Sequence, residues 1–238
     1  MKEIPTIKTV LGNDELSQEY IELLISRLTH SSMSLEKDLG NVDDSKNAIR
    51  LRDNMKAFKY LLNKLQSDEL LSKETIMQCA NMVNESAIYI SSGYRTYGNT
   101  ITDTDIPISD ANEIEKDMDR IIAEYNNDIT TGENAFIREA KFHINFIRIH
   151  PFEDGNGRTG RLLLNHNLLR EDIAPVIITD DLIEYYQSYI REKDIKGMAN
   201  LFSIQSKKEQ EVIEKLVDIH ISKQTDIEAP EFSQPVTK

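Results

Sequence analysis

The chain has 238 residues, 39% of them hydrophobic, enough for one sizeable core and an appendage. A formal net charge of −13 excludes a protein whose main task is to grip a phosphate backbone, since that requires a basic surface. One cysteine, Cys79, excludes a disulfide framework and, set in the apolar-periodic run "ETIMQCANMV", reads as a core residue and not a nucleophile. No window approaches the ~20 apolar residues of a membrane span, and "MKEIPTIKTVLGNDE" has no signal-peptide core, so neither membrane nor nucleic acid is an expected partner and the expected location is cytoplasmic.

The dominant period is helical. The run "NDELSQEYIELLISRLTH" places Leu16, Tyr20, Leu23, Leu24 and Leu28 on one face, with Asn13 as its N-cap. "SKNAIRLRDNMKAFKYLLNKL" repeats the pattern through Ile49, Met55, Phe58, Leu61, Leu62 and Leu65, followed by "SKETIMQCANMVNESA". Residues 91–108, "SSGYRTYGNTITDTDIPI", interrupt this succession; rich in Gly, Thr, Tyr and Ile, with a turn signal at Gly98-Asn99, they read as a short β-hairpin or flap. Helical patterns resume in "ISDANEIEKDMDRIIAEYNN" and "NAFIREAKFHINFIRIH", and again in the three segments after Arg158. The Pro-containing end "DIEAPEFSQPVTK" reads as a disordered tail over 226–238.

The stretch "HPFEDGNGRTGR", His150 to Arg161, carries the chemistry. Pro151 ends the preceding helix at His150, "EDGNG" can expose consecutive backbone N–H groups as an anion nest, and a new helix from Gly157 or Arg158 turns its positive end to the same point. Arg158 and Arg161, three apart, share a face and can reach an anion there. Asp154 suits a Mg²⁺ held between phosphate oxygens, and His150 suits a general base near neutral pH. This set describes phosphate-group transfer to a hydroxyl by positioning, a metal and one base.

That stretch resembles the signature of the Fic domain, H-x-F-x-D/E-G-N-G-R-x-x-R, and fits it without departure. The likeness extends over about residues 65–205, with 1–64 as N-terminal helices and 206–225 as a C-terminal helix. It implies a mainly α fold, a Fic-type helical bundle with a short β-hairpin flap over the active site. It also implies AMP transfer from ATP to a Ser, Thr or Tyr hydroxyl of a protein target, possible self-modification included, with Mg²⁺ or Mn²⁺ as cofactor. By motif position, His150 is the implied base, Asp154 the metal ligand and Phe152 the loop anchor. Gly155, Asn156 and Gly157 form the anion hole, and Arg158 and Arg161 hold phosphate. The phosphorylating branch of the family has lysine at the Gly157 position, so glycine favours AMP transfer. Tyr94, Arg95, Thr96 and Tyr97 belong to the implied target-binding flap, and Tyr186 lies where an aromatic ring often meets adenine.

Many Fic proteins also carry S/T-x-x-x-E-G/N, whose glutamate pairs with the second motif arginine and blocks the γ-phosphate. Ser32 to Glu36 fit its first part, and Lys37 departs from its last position, which implies a weakened brake on Arg161. Residues 32–36 also read as a plain capping box. Two further activities are compatible with the same site: removal of AMP from a modified target using Glu36, and nucleotide binding without turnover. A homo-oligomer is equally compatible. A P-loop enzyme is excluded for want of G-x-x-x-x-G-K-S/T, and a zinc site on His143, His150 and His166 lacks the spacing.

Overall fold

A computed structural model describes residues 6–12, 14–35, 44–66, 69–87, 89–99 and 106–228. Its helices are α1 (Ile7–Leu11), α2 (Asp14–Leu35), α3 (Asp44–Asn63), α4 (Lys73–Val83), α5 (Ile114–Thr131), α6 (Ala135–Ile149), α7 (Asn156–Arg170), α8 (Ile183–Glu192) and α9 (Ile195–Glu228). The Asn13 cap expected for α2 lies outside the described residues, as do Glu36 and Lys37.

Local sequence sets the helix ends. The Ser72 hydroxyl accepts from Thr75 N at the start of α4, and the Asn134 side chain accepts from Phe136 N and Ile137 N at the start of α6. Gly132, at φ 75°, closes α5 in the left-handed conformation.

Helix α6 is the central element, packed against α5, α7, α8 and α9. It buries Ala140, Phe142, Ile144, Phe146, Ile147 and Ile149, and each of the larger side chains contributes about 1.5–3 kcal/mol by leaving water. Cys79 is fully buried, and burial pushes its thiol up to about 12, which fits a packing role. On α2, Leu16, Tyr20, Leu24 and Leu28 are buried as the periodicity predicts, whereas Leu23 is turned outward; on α3 so is Ile49.

The core also holds polar groups. Glu139 on α6 accepts from the Tyr125 hydroxyl of α5 and the Asn167 amide of α7, and burial pushes its carboxyl up to about 7. At the other side, Glu209 of α9 is buried while accepting from Tyr20 and Arg27 of α2, so it ties the N-terminal helices to the last one.

One expected boundary differs from the structure, and the expected flap is described only in part. The described residues contain no strand: 91–99 run as irregular bends, and 100–105 lie outside the described set. Helix α9 is continuous across the boundary drawn at residue 206 and across the start of the expected tail, reaching Glu228; 229–238 are outside the described residues. Among the described residues no helix is long and apolar enough to cross a membrane.

Candidate active site

Helix α6 ends where Pro151 forces it to. His150 caps it at φ 51°, ψ 59°, with its N–H still bonded to the Phe146 carbonyl. A non-glycine residue pays about 1–2 kcal/mol for this left-handed conformation, so something must hold it. Arg95 does so. Its Nε donates to the His150 carbonyl at 2.7 Å and its Nη2 to the Ile149 carbonyl at 3.3 Å, while its own N–H donates to the Pro151 carbonyl at 2.9 Å. The same guanidinium reaches the carbonyls of Tyr97 and Ser109 on the two sides of the flap segment. One buried cation therefore fixes the ends of the 97–109 segment and the end of α6 together.

The His150 ring is mostly buried, and burial together with the neighbouring Arg95 cation holds it down to about 4, against the Ile147 carbonyl and Asp154 carboxylate that pull it up. It is accordingly neutral at pH 7 and able to accept a proton. After Pro151 the loop is anchored by Phe152, buried against Tyr94 and Phe146 with ring centroids 5.7 and 6.3 Å away. Asn156 closes the loop: its Oδ1 accepts from Phe152 N at 2.9 Å and its Nδ2 donates to Phe152 O at 2.8 Å. The asparagine expected to face phosphate thus spends both side-chain groups bracing the loop around it, and its contribution to an anion hole is its backbone N–H at the start of α7.

Gly155 has φ 77°, and a Cβ there would come within 2.9 Å of Val83 Cγ1 and both terminal atoms of Asn84. Glycine is required on both counts. The loop can therefore dock on the C-terminal end of α4, where Asn84 Nδ2 donates to the Asp154 carbonyl at 2.9 Å. The next turn starts α7, a 15-residue helix whose first N–H groups, from Asn156, Gly157 and Arg158, have no intrahelical acceptor. Such N–H groups suit a helix end to an anion.

The two motif arginines diverge from that end. Arg158 lies buried against α4, donating to the Val83 carbonyl at 3.3 Å and Asn84 Oδ1 at 3.4 Å, and meets Asp154 Oδ2 at 3.2 Å. Arg161 turns to α2: its Nε donates to Ser32 Oγ at 2.8 Å and its Nη2 to the Ser32 carbonyl at 3.0 Å. The structure thus brings Ser32 and Arg161 together across 129 positions of sequence. Glu36, four positions on in the sequence, is outside the described residues.

Asp154 is the carboxylate best placed for a divalent cation. Its side chain is 43% exposed, with Oδ1 accepting from Gly155 N at 2.6 Å and Oδ2 facing Arg158. One exposed carboxylate fits Mg²⁺ or Mn²⁺ bound chiefly through phosphate and water, since Mg²⁺ keeps several waters and takes only one or two protein carboxylates. Glu153 points elsewhere, as neighbouring residues do. Its carboxylate accepts the Ser91 hydroxyl at 2.5 Å and Ser91 N at 3.2 Å, contacts that hold it below the usual carboxylate range, and Asn99 Nδ2 donates to its carbonyl at 3.0 Å.

The expected flap residues separate into two kinds. Thr96 and Tyr97 are exposed. Tyr94, partly buried, packs on Phe152, and Arg95 is the buried clamp. Tyr186 is also turned inward, with its hydroxyl 2.6 Å from His143 Nε2, so its ring belongs to the core beneath α7 and offers no open face to adenine. His143 itself lies under Gly160, where an added Cβ would sit 3.2 Å from its Cε1, and burial with help from Arg161 pushes it down to about 3. Asn84, Glu153 and the clamping role of Arg95 were not read from the sequence. The sole local hint was the glycine at 155, whose necessity implies a close neighbour.

Residues 68–168 match the model of the Fic/DOC family. The chain carries a Fic domain. A protein adenylyltransferase Fic of Nematostella vectensis is 31% identical over 138 residues, 55% of this chain and 31% of that protein. The chain spans between 12% and 31% of the length of such curated relatives. The fold is that of a Fic domain containing signaling protein from Bacteroides thetaiotaomicron, with a TM-score of 0.78 at 17% identity, covering 89% of this chain and 97% of that one. It is also shared by IbpAFic2 covalently tethered to Cdc42, with a TM-score of 0.57 at 14% identity over 76% of this chain and 63% of that one. The Fic domain here keeps its signature loop on α6, α7 and the end of α4, while α2 and α3 close it from the N-terminal side.

Proposed function

We propose that this Fic domain transfers AMP from ATP to a Ser, Thr or Tyr hydroxyl of a protein, itself included, and that Ser32 and Glu36 restrain it. The observation that carries the reading is a neutral, buried imidazole at the end of α6 beside the N–H groups that open α7, with Arg158, Arg161 and Asp154 around them. His150 takes the proton of the target hydroxyl as the oxygen bonds to the α-phosphorus. The bond from that phosphorus to the bridging oxygen breaks, and pyrophosphate leaves with the electron pair. Arg158, Arg161 and the α7 N–H groups bind the phosphates and fix the line of attack. Mg²⁺ or Mn²⁺, bound at Asp154, would neutralise phosphate charge. Gly157, in place of a lysine, keeps the first turn open to phosphate on this reading.

The target is a protein segment laid along the flap, for which the exposure of Thr96 and Tyr97 leaves room. The relative tethered to Cdc42 supports a protein as target. Restraint is supported by Arg161, whose guanidinium is already engaged by Ser32 Oγ and carbonyl and so is drawn toward α2. On this reading Glu36 completes that hold, and the bulky cation of Lys37 loosens it.

The test is transfer of label from α-phosphate-labelled ATP with Mg²⁺ or Mn²⁺. Wild type and Glu36→Gly should label protein, the latter more strongly, and His150→Ala should not. Labelling by His150→Ala equal to wild type overturns the assigned mechanism, and no gain in Glu36→Gly overturns the brake.

A further inference from the structure

A residue of α3, outside the matched family segment, reaches the candidate phosphate site. Arg50 Nη2 lies 3.9 Å from Asp154 Oδ2, the oxygen that Arg158 Nη2 meets at 3.2 Å. Its position is fixed by the helix that bears it. One turn on, Asp53 is buried and accepts from both the N–H and the hydroxyl of Ser86, at 2.8 and 2.9 Å. Arg52 Nη2 donates to the same hydroxyl at 2.8 Å, and Lys56 pairs with Glu85 at 2.7 Å. Ser86 and Glu85 directly follow Asn84, the residue that holds the Asp154 carbonyl and faces Arg158. Helix α3 is thus fastened to the short segment on which the signature loop rests, and Arg50 extends from it to the mouth of that loop. Its side chain remains 35% exposed.

We propose that Arg50 is a third polyphosphate-binding arginine of this site, contacting the β- or γ-phosphate of a nucleoside triphosphate from the α3 side while Arg158 and Arg161 act from α7. The assignment rests on the AMP-transfer reading. A guanidinium this close to Asp154 pairs with it in the resting protein. Once polyphosphate enters, its oxygens offer a denser negative charge and a bidentate geometry that a single exposed carboxylate oxygen at 3.9 Å does not. The contact would also explain how the N-terminal helices contribute to the site through a second residue besides Ser32.

Calorimetric titration of ATP and of AMP, each with Mg²⁺, into wild type, Arg50→Ala and Arg50→Lys tests this, with thermal unfolding as the control for folding. Arg50→Ala should bind ATP about tenfold more weakly, the loss of one charge-assisted contact, with AMP affinity unchanged. Arg50→Lys should recover part of the difference. The assignment is overturned if Arg50→Ala binds ATP like wild type, or if ATP and AMP weaken equally, which marks a structural role. If wild type binds no ATP, the AMP-transfer reading fails first, a result distinct from either.

Discussion

Replacing Gly155 with alanine isolates the contact that seats the signature loop. The new Cβ would stand 2.9 Å from Val83 Cγ1 and from Nδ2 and Oδ1 of Asn84, closer than real Cβ atoms come, at a backbone φ of 77°. The left-handed conformation costs an alanine about 1–2 kcal/mol. Asn84 must also move, breaking its bond to the Asp154 carbonyl and weakening the one from Arg158, at about 0.5–1.5 kcal/mol each. The total is about 2–5 kcal/mol, equivalent to a fall in Tm of roughly 4–20 °C for a chain of this size. Gly132→Ala supplies the comparison, because Gly132 has nearly the same φ, 75°, and nothing within 4 Å of the added methyl. It should cost only the conformational part. Differential scanning calorimetry on both variants and α-phosphate label transfer measure the two consequences. Gly155→Ala should melt well below Gly132→Ala and lose labelling by about a hundredfold, as a misplacement of about 1 Å near the reacting atoms does. If the two variants melt alike and both label normally, the loop is not seated by Asn84.

Arg95→Lys should destabilise the protein by about 2–4 kcal/mol in urea titrations despite keeping the charge, because an ammonium cannot span the carbonyls of Tyr97, Ser109, Ile149 and His150. Asn156→Ala removes both bonds to Phe152 and should cut label transfer while leaving circular dichroism unchanged, whereas intact transfer would show that the brace is dispensable. Acid should weaken the fold. His143 is held down to about 3 and His150 and His166 to about 4, each from 6.5, so the unfolded chain binds more protons between those values. Their contribution is complete above pH 6.5 and is lost as pH falls towards 4, at up to about 1.4 kcal/mol per pH unit for each group. Glu139, raised to about 7, acts in the opposite sense, its contribution being lost as pH rises through 7. Burial raises the Glu209 carboxyl as well, so three histidines oppose two carboxyls, and unfolding free energy from urea titrations should still drop between pH 6.5 and 5; a flat profile would contradict the neutral burial of the histidines.

The helices were legible because their signals are local: apolar residues at helical spacing, Ser72 and Asn134 as caps, and Pro151 as a terminator. The loop between α6 and α7 was legible for the same reason, its turn and helix-stop signals being contiguous. What escaped depends on partners distant in sequence. Nothing in "GYRTYG" distinguishes an arginine facing a target from one buried against four carbonyls, and the β-rich composition of that segment suggested strands where the described residues are pinned as bends by Arg95 and Glu153. Tyr186 was placed near adenine by the family resemblance alone, which does not tell its inward face of α8 from the outward face of Tyr185, 61% exposed. Asn84 meets the loop from the end of α4 and Glu153 meets Ser91 and Asn99, contacts between segments far apart in sequence.

Helix α9 has a further consequence. At 34 residues it extends for about 50 Å, and along that length it packs on α6, whose end bears His150, and on α2, whose Ser32 holds Arg161. Glu209, near its middle, is the buried joint to Tyr20 and Arg27. This helix is therefore a splint between the end of α6 and the helix whose Ser32 holds Arg161. A stop codon or proteolytic cut ahead of Glu209 would remove the buried carboxylate that joins α2 to α9, so that damage at the C-terminal side of the molecule would be felt among its N-terminal helices.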